Sequence, residues 1–152
     1  MKKRSRLTLN EMNMAFVALT EEEQRSFVGG WYCFSYCLNY MGLDGDSFNQ
    51  YYRDLYGDPQ SNGGVDSSKI ESTLSACGIG FFNPQNIPTF ATGREIIAIN
   101  DGTHAVIYRG NPQVKTGYNG KKYIQVDYYD PQSQTYGTYS YPDTEISMIH
   151  IN

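Results

Sequence analysis

The sequence predicts an α+β domain, with helices first and an antiparallel sheet after them. Three observations carry this. Between Cys33 and Gly78, apolar residues recur at helical spacing, and each helical stretch stops at a glycine. From Arg94 onward the period falls to two, in five short segments parted by Gly, Asn, Asp and Pro. The length, 152 residues, suits one domain with a real core but not two ordinary ones. Helices followed by strands are expected to pack as helices on one antiparallel sheet.

The elements follow in order. Leu7, Leu9, Met12, Met14, Phe16, Val17, Leu19, Phe27 and Val28 are spaced through a polar background, so residues 8–28 predict an amphipathic helix. Thr20 with Glu21, Glu22 and Glu23 gives an N-cap, an acidic first turn and a capping box. The helix stops at Gly29-Gly30, where the backbone is freed of side-chain restraint. Phe34, Cys37, Leu38 and Met41 form the next helical stripe, over 33–41, ended by Gly42. Residues 47–57 (SFNQYYRDLYG) predict another helix, and SSKIESTLSA a further one capped by Asp66, with Ile70 and Leu74 inward and Gly78 behind it. FFNPQNIPTF, with two prolines, is an irregular crossing. Strands are predicted over 95–99, 104–109, 122–129, 136–141 and 146–151.

The N-terminal segment resembles the double-glycine leaders of substrates of bacteriocin-type ABC exporters. Cutting after Gly30 puts Phe27 four residues before the cut, Glu23 eight before, and Leu19-Thr20 at twelve and eleven before, as in that family. Gln24 departs, standing where the family has an apolar residue. The resemblance implies an export segment over 1–30, cleaved at Gly29-Gly30, a second unit over 31–152, an exporter partner with its own peptidase domain, and secretion. The alternative is an ordinary N-terminal helix ending in a glycine cap.

Composition removes several classes. Net charge is −4 with no basic stripe, so the footprint of a nucleic-acid binder is missing. From Trp31 on, seven basic and twelve acidic residues leave net −5. No run approaches the roughly 18 apolar residues of a membrane span, and the start lacks the apolar stretch of a Sec-type signal. The three cysteines, Cys33, Cys37 and Cys77, cannot all pair with one another and leave room for a reactive thiol. Cys33-x-x-x-Cys37 with two isolated histidines lacks zinc-site spacing, so neither metal nor cofactor is expected. The fourteen tyrosines suit half-buried strands, groove walls or a partner surface.

Three residues carry candidate chemistry. Cys33 falls in the first turn of its helix, where unpaired N–H groups and the helix dipole favour a thiolate. Cys37, one turn on, reads as core. A disulfide between them is disfavoured by helix geometry. His104 opens the strand THAVIYRG after the Asp101-Gly102 turn, which puts its imidazole at a sheet end. His150, between Ile149 and Ile151, is expected to face solvent or an edge. A thiol–imidazole pair needs a third group to orient the ring. Asp130, where the next strand meets the Asp130-Pro131 turn, fits this better than mid-strand Asp127. Taken alone, Cys33 reads as structural and Asp130 as turn chemistry.

In this order the three residues resemble the papain-like superfamily of cysteine enzymes: Cys33 at a helix start, His104-Ala105-Val106 at a strand start, and Asp130-Pro131-Gln132 in a turn. They are most similar to the peptidase domain of bacteriocin-processing exporters and to papain-fold toxins and glutamine deamidases. The resemblance covers residues 31–152. It implies a papain-like fold and a thiol hydrolase acting on peptide, isopeptide or glutamine amide bonds, with Cys33 as nucleophile, His104 as base and Asp130 as orienter. It also implies a protein or peptide substrate, a toxin or effector role, and an immunity protein as a further partner. One departure stands: the family has a Gln shortly before the Cys as oxyanion donor, whereas Gln24 lies nine residues upstream. The alternatives are a secreted bacteriocin-like or binding protein on the same fold, acting by contact, and a cytoplasmic enzyme with no leader.

Overall fold

A computed structural model describes residues 32–58, 67–142 and 146–152. The predicted helix over 8–28, the Gly29-Gly30 site, Gln24 and the Asp66 cap lie outside them. The described residues form three helices and a six-stranded antiparallel sheet, in the predicted order. The helices are α1 (Tyr32–Tyr40), α2 (Gly45–Tyr56) and α3 (Ser67–Ala76). The strands are β1 (Phe81–Phe82), β2 (Glu95–Ile99), β3 (His104–Thr116), β4 (Lys122–Asp130), β5 (Thr135–Pro142) and β6 (Met148–Ile151). Across the sheet they run β1-β6-β2-β3-β4-β5.

The helices end as their glycines dictate. After α1 the Gly42 N–H donates to Asn39 O and the Leu43 N–H to Leu38 O, both at 3.0 Å, with Gly42 at φ 83°. Gly78, at φ 75°, closes α3 the same way through Ser75 O and Leu74 O. Asp44 caps α2, its Oδ1 accepting the Ser47 N–H at 3.0 Å.

The sheet buries both faces. Ile96, Ile107 and Ile151 meet Phe34, Cys37, Leu38, Phe48 and Leu74 of the helices. On the other face Ile97, Ile99, Val106, Tyr108, Ile124, Val126, Tyr141 and Met148 form a second core, closed by Ile87, Ala91 and Ile146. The strands therefore need apolar residues in runs as well as in alternation, which explains EIIAI. The Tyr108 hydroxyl donates to Pro88 O, tying the segment after β1 across this face. The sheet also curls over it: the Tyr141 hydroxyl on β5 reaches Ala98 O at the end of β2.

Three expectations need correction. Part of FFNPQNIPTF is regular, since Phe81 and Phe82 pair with Ile151 and His150; a two-residue strand leaves no period to read. β3 does not stop at Arg109. Gly110-Asn111-Pro112 reads as a turn but makes a bulge, with Gly110 at φ 86° and Asn111 at φ 55°, and pairing to β4 resumes at Gln113. His150 is on neither an edge nor open solvent. Its strand lies between β1 and β2, its Nδ1 donates to Oε2 of buried Glu95 at 2.9 Å, and its ring stacks on Phe82 at 4.6 Å.

Candidate functional site

The site lies where α1 meets the starts and ends of three strands. Cys33 is the second residue of α1 and lies in its first described turn. β4 pairs with β3 from Ile107–Tyr129 onward and stops at Asp130. Beside Ala105, α1 takes the place that a continued β4 would occupy. The Ala105 N–H donates to Cys33 Sγ at 3.3 Å, and the Cys37 thiol donates to Ala105 O at 3.6 Å. One residue of β3 thus pins two turns of α1 and sets the sulfur beside the strand's first side chain, His104.

The structure brings the three predicted residues together. His104 Nε2–H donates to Asp130 Oδ2 at 2.7 Å, and a further side-chain hydrogen bond joins His104 to Cys33. The second carboxylate oxygen of Asp130 accepts main-chain N–H groups of its own turn, Gln132 at 2.9 Å and Ser133 at 3.4 Å. The carboxylate is fixed from both sides and so fixes the ring. The competing acid, Asp127, is occupied elsewhere, accepting from Asn111 Nδ2 at 3.2 Å.

Charge follows from these contacts. Burial disfavours a cationic His104, but hydrogen bonds to Asp130 and Cys33, and the negative charge on both, outweigh it and raise its pKa from 6.5 to about 10. Burial likewise opposes the Asp130 charge, yet the bond and charge of His104, then Ser133 and Gln132, hold the carboxyl below its usual range. Cys37 moves the opposite way. Full burial, then the charges of Cys33 and Asp130, push its thiol well up, leaving it a neutral core group. All three cysteines are free thiols.

Exposure is low: Cys33 is 1%, His104 6% and Asp130 8% exposed. A cavity of about 90 Å³ adjoins His104, walled by Phe34, Ile70, Ile96, Ala98 and Ile149. An apolar cavity of 150 Å³ accepts a benzene ring, so this one fits roughly three or four carbons.

Such an arrangement holds a sulfur beside a protonated imidazole whose orientation is locked, the geometry a thiol nucleophile and proton donor require. Sequence reasoning missed the main chain of Ala105. Nothing in the letter A marks it; only the early end of β4, set by Pro131, leaves its N–H and C=O to the cysteines. Compared with known proteins, the chain matches no family model, no curated protein and no solved structure.

Proposed function

We propose that this chain is a papain-like thiol enzyme acting on amide bonds of peptides or proteins, with Cys33 as nucleophile, His104 as proton carrier and Asp130 as its orienter. The observation that carries this reading is the continuous Cys33–His104–Asp130 chain of hydrogen bonds, made from segments far apart in sequence. The sulfur attacks the carbonyl carbon. The His104 imidazolium protonates the departing amine or ammonia, and the C–N bond breaks to leave a thioester. Neutral His104 then takes a proton from water, whose oxygen attacks the thioester and frees the sulfur.

The leader reading completes the proposal. Residues 1–30 direct export through an ABC exporter that cuts after Gly30, and the secreted unit starts at Trp31. An effector or toxin role, and an immunity partner, follow from the same resemblance. Mass spectrometry of culture supernatant tests it: a species beginning at Trp31 supports export, and an exclusively intracellular full-length chain sinks it.

Iodoacetamide labelling resolved by peptide mass spectrometry tests the chemistry. Cys77 provides the internal standard, its thiol raised by burial and then by Asp44. Its labelling should fall about tenfold per pH unit below neutrality, as for any protonated thiol. Cys33 labelling should depend on its imidazole partner, slowing in His104→Ala while Cys77 labelling does not change. Equal Cys33 labelling in the parent and in His104→Ala would overturn the proposal. The 1% exposure of Cys33 favours the second reading, a secreted binding protein on the same scaffold. That reading gains if Cys33→Ala keeps the full biological effect.

A further inference from the structure

His104 hangs from a strained connection. Between β2 and β3 the chain turns through Asn100 at φ 53°, Asp101 at φ 57° and Gly102 at φ 82°. Asn and Asp tolerate the left-handed region better than other side-chain-bearing residues, but still at a cost. Consecutive positive-φ residues of these types are usual in a tight hairpin turn, and their cost is offset by the contacts that hold the turn. Within the turn, Thr103 bonds back through its N–H to Ile99 O and Asn100 O, and through its hydroxyl to Asn100 O at 2.7 Å. Those bonds, with that of the Gly102 N–H to Ile99 O at 3.1 Å, tie the base of the turn to the last residue of β2 and leave its tip, Asp101, to be held from elsewhere.

Asp101 is held from β5, at the far side of the sheet. The Tyr139 hydroxyl accepts the Asp101 N–H at 3.2 Å, and the Tyr141 hydroxyl donates to Ala98 O, just before the turn. The two rings meet edge to face, centroids 4.8 Å apart at 81°, so each limits the other's movement. Tyr141 is 7% exposed and belongs to the second core. β5 is also the hairpin partner of β4, with Thr135 opposite Asp130. A single hairpin therefore holds the imidazole by Asp130 and the turn that carries it by Tyr139 and Tyr141.

We propose that Tyr139 is a positioning residue for His104, its hydroxyl fixing the Asn100–Gly102 turn so that the imidazole meets Cys33 and Asp130 together. The inference rests on the thiol-enzyme reading, yet it has its own consequence for the ring. Without that hydroxyl the turn relaxes, the His104–Asp130 bond lengthens in part of the population, and the imidazolium loses support. The packing of the Tyr139 ring is unaffected, and the exposed Asp101 N–H turns to water.

Tyr139→Phe removes that oxygen alone, and Tyr136→Phe, at an exposed position of the same strand, is the control. Two readouts are made on the full chain: the His104 titration midpoint by NMR, and the pH profile of Cys33 alkylation by iodoacetamide. In Tyr139→Phe the midpoint should drop by about one pH unit, Cys33 alkylation at pH 7 should slow about three- to tenfold, and Cys77 alkylation should not change. The melting temperature should fall by no more than a few degrees, and Tyr136→Phe should match the parent throughout. A His104 midpoint equal to that of the parent overturns the proposal, as does an equal shift in Tyr136→Phe. If Cys33 alkylation in the parent equals that in His104→Ala, the enzyme reading fails instead, while the NMR midpoint still decides the role of Tyr139.

Discussion

Asp130→Asn separates charge from shape at the centre of the site. The amide keeps the size of the carboxylate and one acceptor oxygen, but Asp130 uses two: one for His104 at 2.7 Å, one for the N–H groups of Gln132 and Ser133. A single amide oxygen cannot serve both, and the charge is gone in either case. The partners are 6% and 12% exposed at the side chain, so screening is weak. Breaking such a pair costs about 3–5 kcal/mol when fully buried. Allowing for the hydrogen bond that Asn retains, we expect about 2–4 kcal/mol, a fall in Tm of order 10 °C.

The pH dependence is the sharper test. The raised pKa of His104 adds stability that is complete below 6.5 and disappears as pH climbs through about 10. The lowered pKa of Asp130 adds stability present above 3.8 and lost as pH falls through its folded value. Asp130→Asn removes the Asp130 contribution and the part of the His104 contribution that Asp130 supplies. Thermal melts by circular dichroism should show the widest gap from the parent between about pH 4 and 6.5, narrowing toward pH 10. A gap that is constant with pH, or that widens above pH 9, would refute the coupling of these two residues.

Two further substitutions test the scaffold. A Cβ on Gly45 would lie 2.5 Å from Ser35 O, where α2 crosses α1, so Gly45→Ala should cost about 1–3 kcal/mol and lower the urea midpoint. An unchanged midpoint would mean that the two helices are not this close. Glu95→Ala leaves the His150 ring, the Thr92 N–H and the Thr92 hydroxyl without their acceptor, and should cost roughly 2–4 kcal/mol in the same assay. A loss under about 0.5 kcal/mol would show that water replaces the carboxylate easily, as it does at the surface.

What the sequence disclosed was what local pattern encodes. Cys33 sits at a helix start because a stripe of Phe34, Cys37 and Leu38 follows it, and His104 at a strand start because Asp101-Gly102 precedes it. Asp130 was legible because proline follows it where the alternation ends. The unread parts depend on which strands lie side by side. His150 looks like an outward residue between two isoleucines, until β2 brings buried Glu95 opposite it. Tyr139 looks like one strand tyrosine among many, until the curl of the sheet carries its hydroxyl to the β2–β3 turn. Gly110-Asn111-Pro112 has the composition of a turn, and only the partner strand makes it a bulge. Backbone partners such as Ala105 have no side-chain signature at all.

The order of the parts along the chain has a consequence for timing. A ribosome releases Cys33 long before Asp130, and the tyrosines of β5 come later still. Until the β4–β5 hairpin folds back, the imidazole has no carboxylate to steady it. In a nascent chain Cys33, His104 and Asp130 therefore stay apart, and they meet only once the β4–β5 hairpin has joined the sheet.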